Sequence, residues 1–127
     1  MSDNLYQQDI SGPTKTEESN KLAFPDTGDH LRKDVGKPRY DLLPPEPLEA
    51  LAQLYTQGAL KYAPRGWEEG MDWGRCFGSL MRHAWKFWRG EDYDPETGAH
   101  HMIAVAWNAF AIYTYIVRKK GKDDRKG

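Results

Sequence analysis

Apolar and polar positions fall into helical register over three stretches of this chain. In PLEALAQLYTQGALKY, Leu48, Leu51, Tyr55, Ala59 and Tyr62 recur at steps of three and four, and Glu49, Gln53, Gln57 and Lys61 form a polar stripe beside them. Pro47 suits the first turn of this helix, where its missing N–H costs nothing. Gly58 lowers its helix propensity by about 1 kcal/mol against Ala. In RCFGSLMRHAWKFWRG, Phe77, Leu80, Met81, Ala84, Trp85 and Trp88 make the apolar face, and Arg75, Ser79, Arg82, Lys86 and Arg89 a largely basic one. The third helix is predicted from Ala99 to Val117, ending on the cations Arg118, Lys119 and Lys120, which suit a helix C-terminus. No segment alternates as a strand does. The pattern therefore predicts an all-α fold, a compact three- or four-helix bundle with a disordered N-terminal arm.

The intervening segments set the domain plan. Residues 1–35 are polar and poor in large apolar groups, so a flexible arm is expected there. Residues 36–118 make the helical domain, and 119–127 a basic tail expected to fray. GKPRYDLLPPEP carries four prolines and reads as extended, with Leu42 and Leu43 pinning it to the core. APRGWEEGMDWG is a loop punctuated by Pro64, Gly66, Gly70 and Gly74, and it bears Trp67 and Trp73.

Composition narrows the partners. The chain has 127 residues, a net charge of −1 and one cysteine, Cys76. Such a charge argues against nucleic acid as a partner. A single thiol excludes a disulfide framework and fits a reducing, cytoplasmic setting. The N-terminus lacks the apolar core of a signal peptide. The apolar run Met102–Val117 is short for a membrane span and carries Asn108 and Thr114, so no membrane is expected. Five Trp and seven Tyr offer rigid contact surface that favours self-association.

Candidate chemistry centres on RGEDYDPETGAHH. Glu91, Asp92, Asp94 and Glu96 put four carboxylates in six residues. One reading is structural: Asp94 before Pro95 fits an N-cap followed by proline at N1, with Glu96 in the first turn. The other is a divalent cation, since hard cations gather several oxygens in one place. An EF-hand is excluded, because its sixth position should be Gly and its twelfth Glu, and this loop has Thr97 and Ile103 there. In the last helix His101, Ala104, Asn108, Ala111 and Tyr115 share one face that is polar or small. Buried polar groups need partners, so His101 and Asn108 either bond across the bundle or line a cavity. His83 sits at the core edge beside Arg82. Lys61, Arg65, Arg82 and Lys86 supply cations for phosphate oxygens. Tyr62, Trp67 and Trp73 offer flat faces for a base. Together these describe a nucleotide site.

The blocks KPRYDLLPPEPLEAL, GALKYAPRGWEEG and LMRHAWKFWRGEDYDPETGAHHMIAVAWNAF resemble successive blocks of the phage dATP/dGTP diphosphohydrolase family over about Gly36–Tyr115. The resemblance implies cleavage of a purine deoxynucleoside triphosphate to the monophosphate and pyrophosphate, in the cytoplasm of a phage's host. It is similar in logic to the all-α MazG-like pyrophosphohydrolases, which hold Mg²⁺ with an ExxE and an ExxD and commonly assemble as dimers or tetramers. Here Glu46-Pro47-Leu48-Glu49 is an ExxE, but no ExxD stands on the last helix, where His101 and Asn108 occupy the face. The resemblance implies Mg²⁺, or Mn²⁺; with the MazG-like set incomplete, Glu91, Asp94 and His101 are the expected ligands ahead of Glu46 and Glu49, and His83 and Glu91 the expected catalytic groups. Lys61, Tyr62, Trp67, Arg82, Lys86 and Asn108 would bind substrate. The alternatives are a non-catalytic nucleotide binder and a structural interaction bundle.

Overall fold

A computed structural model describes residues 33–127. The expectation for a flexible arm over 1–35 lies almost wholly outside them. The chain divides into two units, 1–43 and 44–127. In the first, GKPRYDLLPPEP is not simply extended: Tyr40–Leu42 form a 3₁₀ turn beside an Arg39–Asp41 ion pair of 2.6 Å. Leu42 and Leu43 are exposed, not buried as anticipated.

The second unit is built on three helices: α1 (Pro45–Lys61), α2 (Trp73–Trp88) and α3 (His101–Arg118). A 3₁₀ turn, Gly66–Glu69, lies between α1 and α2. No strand occurs among the described residues, so the all-α expectation holds. α1 starts two residues before Pro47, because Pro45 and Pro47 both fit a first turn whose N–H groups have no intrahelical partner. α3 starts at His101 because His100 is its N-cap, the ring Nδ1 accepting the Met102 N–H at 3.0 Å.

α3 packs mainly against α2 and less against α1. Its buried residues are His101, Ala104, Asn108, Ala111 and Tyr115, the face set by its periodicity. Cys76, Ala111 and Tyr115 form the core, covered by Trp67, Met71, Trp73, Trp107 and Ile112. Burial drives the Tyr115 phenol up to about 12, and its hydroxyl donates to the Trp67 carbonyl. Among the described residues no helix is long and apolar enough to cross a membrane.

The tail, expected to fray, lies against the start of α2. Lys119 caps α3 in the left-handed region, φ 57°. The chain then runs back to the start of α2. The Trp73 N–H donates to the Lys122 carbonyl and its indole Nε1–H to the Lys120 carbonyl, each at 3.0 Å. The Gly74 N–H donates to Asp124 Oδ1 at 2.8 Å, and the Arg125 guanidinium lies 5.1 Å from the centre of the Trp73 ring. The physical reason is the helix start itself: α2 exposes unpaired N–H groups there, and its N-cap Asp72 makes no side-chain cap bond. Asp124 caps from a distance. Gly121 passes so close to Met71 that a Cβ would collide with the Met71 carbonyl.

Candidate functional site

A cavity of about 1140 Å³ opens between α1, the Gly66–Glu69 turn, α2 and α3. Its polar end holds Ser79 and His83 from α2, Asn108 from α3, and Asp94, Glu96 and Thr97 from the acidic loop. Its aromatic end holds Tyr55, Trp67 and Trp107, whose ring centroids are 5.7–5.9 Å apart, Tyr55 tilted against both indoles and the two indoles edge to face. Lys61, Arg65 and Arg118 also line it. Each is paired: Lys61 with Glu96 at 3.7 Å, Arg65 and Arg118 with Glu68 at 3.0 and 2.6 Å. Arg65 holds φ 62°, a left-handed backbone uncommon outside glycine, in the cavity wall.

The four acids do not converge. Glu91 Oε2 meets His101 Nε2 at 2.8 Å, Asp92 lies 3.9 Å from His100, and Glu96 faces Lys61. Asp94 is buried and closes its own loop. Its Oδ1 accepts the Glu96 N–H at 3.1 Å and its Oδ2 the Thr97 hydroxyl at 3.2 Å. Its backbone N–H donates to the Ala99 carbonyl at 2.8 Å, and its carbonyl accepts the Gly98 N–H at 2.7 Å. Asp94 therefore caps a turn and not a helix, since α3 begins only at His101.

His101 is fully buried between two partners. Besides Glu91, its Nδ1 lies 2.9 Å from His83 Nδ1. For a neutral His101 beside a carboxylate, the hydrogen bonds assign the protons. An ionised Glu91 only accepts, so His101 carries its proton on Nε2 and presents a bare Nδ1. His83 then donates through Nδ1, and its own Nε2 keeps a free lone pair. Burial lowers the His83 pKa from the ordinary histidine value; Asp94 opposes that shift, and His101, Lys86 and Arg82 add to it. His83 is thus biased towards the neutral form that a base requires.

The same geometry bears on the anticipated Mg²⁺ or Mn²⁺ set of Glu91, Asp94 and His101. Among the described residues no three His, Cys, Asp or Glu side chains form a group that could hold a metal. Both His101 nitrogens are engaged, and both Asp94 oxygens serve the loop. These residues do not fit the ion in this arrangement.

The structure brings Lys61, Tyr62, Trp67, His83, Asp94 and Asn108 to the cavity. It does not bring Arg82 and Lys86 there. They line a separate shallow depression with Met81, Trp85 and Arg89, because successive helical residues turn by about 100° and only His83 faces α3. Glu91 and His101 stand behind His83. Sequence reasoning missed Tyr55, Trp107 and Glu68. The two aromatics lie on apolar stripes indistinguishable from core, and Glu68 is marked only by its arginine partners, Arg65 in the same turn and the distant Arg118.

The model of a family described as dATP/dGTP diphosphohydrolase, N-terminal, matches residues 27–125. A dATP/dGTP diphosphohydrolase of Salmonella phage PMBT28 is 28% identical over 96 residues, covering 76% of this chain and 33% of that protein. The chain spans about a third of the length of that relative. No solved structure matches it.

Proposed function

The chain belongs to the dATP/dGTP diphosphohydrolase N-terminal family, and from that premise we propose that its cavity binds a purine deoxynucleoside triphosphate and hydrolyses it to the monophosphate and pyrophosphate, in the cytoplasm of a phage's host. The observation that carries this reading is His83 at the cavity wall, backed by His101 and Glu91, opposite an aromatic end suited to a base.

Tyr55, Trp67 and Trp107 stack the purine, as flat apolar faces do. Lys61 and Arg65 meet phosphate oxygens by exchanging their carboxylate partners for them. His83 Nε2 takes a proton from a water that attacks the α-phosphorus. The bond between the α-phosphorus and its bridging oxygen breaks, and pyrophosphate leaves with that oxygen. His101 and Glu91 act through His83: they hold the tautomer that leaves Nε2 bare, and they stabilise the imidazolium once it forms. No step is assigned to a metal, because the donor set does not assemble.

A second reading has its own observation in favour. Every cation lining the cavity is already paired, so the site is nearly neutral, and a protein that holds a nucleotide without cleaving it needs no activated water. The experiment is turnover of the four dNTPs and four NTPs, with and without Mg²⁺ and EDTA, resolving each phosphate product. Pyrophosphate from purine dNTPs, lost in His83→Ala, is the expected result. Binding by calorimetry with no turnover under any condition leaves the binder.

A further inference from the structure

Apart from Asn108 and Thr114, every residue of α3 from Met102 to Val117 is apolar. Its inner face is the buried one already described. The outer face runs through Met102, Ala106, Ala109, Phe110, Tyr113 and Val117, which lie within one stripe at steps of three and four. No charged residue interrupts Met102–Val117. Yet Met102 is 40% exposed, Phe110 51%, Tyr113 68% and Val117 62%. A helix apolar all round is ordinarily buried all round. The interior of one copy is correspondingly thin, with five apolar side chains buried among the described residues.

We propose that the outer face of α3 packs against the same face of a second copy, antiparallel about a twofold axis near Ala109. Three observations select this occupant. The apolar stripe spans the length of the helix, about 22 Å, and its small residues Ala106 and Ala109 lie at mid-helix, where two crossing helices come closest. The ends are complementary: the exposed Asp92 stands at the start of α3, and Lys119 and Lys120, with no carboxylate partner among the described residues, stand at its end. Antiparallel pairing joins opposite charges, whereas parallel pairing opposes like ones. Finally, each face offers on the order of 500 Å² of apolar surface, so a pair buries about 1,000 Å², the lower bound of a specific interface. Residues 1–32, rich in Ser, Thr and Asp, match such a face poorly.

The test is sedimentation equilibrium of the full chain with cysteine mapping; native Cys76 is 1% exposed and stays silent. We expect a dimer whose Kd rises at least a hundredfold in Tyr113→Glu, with helical circular dichroism retained. Ala109→Cys should cross-link to itself. Met102→Cys and Val117→Cys should each fail alone and cross-link when the two proteins are mixed. If Tyr113→Glu does not fold, the cysteine pattern decides. A monomeric wild-type chain, a monomer that dimerises only after residues 1–32 are removed, or self-cross-linking of Met102→Cys would each overturn the proposal.

Discussion

His83 and His101 face each other Nδ1 to Nδ1 at 2.9 Å, so one ring must donate and the other accept. Glu91, at 2.8 Å from the far nitrogen of His101, decides which. With His101 neutral, one carboxylate therefore orders the proton on His83, two hydrogen bonds away. His83→Gln is expected to lower kcat by about 10²–10⁴, the usual worth of a general base. Glu91→Gln, which can donate as well as accept, should lower kcat by about tenfold or more with KM little changed, a loss of the order seen when a histidine's outer partner is removed. Nitrogen NMR of the two rings checks the cause, since Glu91→Gln must mix the His83 tautomers; unchanged tautomers would sink the assignment.

Burial lowers the His83 pKa, so its neutral form persists below the ordinary histidine range. The acid limb of kcat/KM should accordingly fall below about pH 6.5, and His83→Gln should abolish that limb. Stability follows the same sign. A histidine with a depressed folded pKa contributes its full stability above the unfolded value of about 6.5 and loses it as pH falls through the folded one. Thermal melts from pH 7.5 downward should show this loss in the wild type and less of it in His83→Gln.

Tyr55 lines the aromatic end without belonging to the buried core. Tyr55→Leu keeps an apolar body of similar size but removes the π-face. Nucleotide binding should weaken by about 1–3 kcal/mol, the worth of one stacked base, with the melting temperature nearly unchanged. Calorimetry with a non-hydrolysable purine triphosphate measures it, and an unaltered Kd would move the base elsewhere.

Asp94 closes its loop through two side-chain bonds. Asp94→Ala should destabilise the fold by about 1–3 kcal/mol, because the Glu96 N–H and the Thr97 hydroxyl, both part-buried, lose a charged acceptor. Asp94→Asn keeps an acceptor and should retain near wild-type turnover. Activity lost in Asp94→Asn at full stability would instead require a charged ligand there.

The tail clasp is a stability element. Asp124→Ala removes the side-chain cap that the described residues supply to the α2 N-terminus and should cost about 0.5–2 kcal/mol in urea unfolding, seen as a lower midpoint at constant slope. Gly121→Ala should cost more, since its φ of 70° and the Met71 carbonyl both exclude a Cβ.

Much of the fold was legible because it is local. A step of three or four residues puts His101, Ala104, Asn108, Ala111 and Tyr115 on one side of a helix whatever surrounds it, and that side is the buried one. Proline and glycine marked the breaks for equally local reasons, in their own φ preferences. Local pattern alone thus accounts for three helices, the inner face of α3, and a crowd of acids and histidines near its start. It did not determine what each acid touches. The choice of Glu91 for His101 and of Glu96 for Lys61 depends on which distant segment passes nearby. So does the capture of the tail by Trp73 and Gly74, and the turning of Arg82 and Lys86 away from the cavity. Those pairings are non-local, set by how helices pack, and only the tertiary structure decided them.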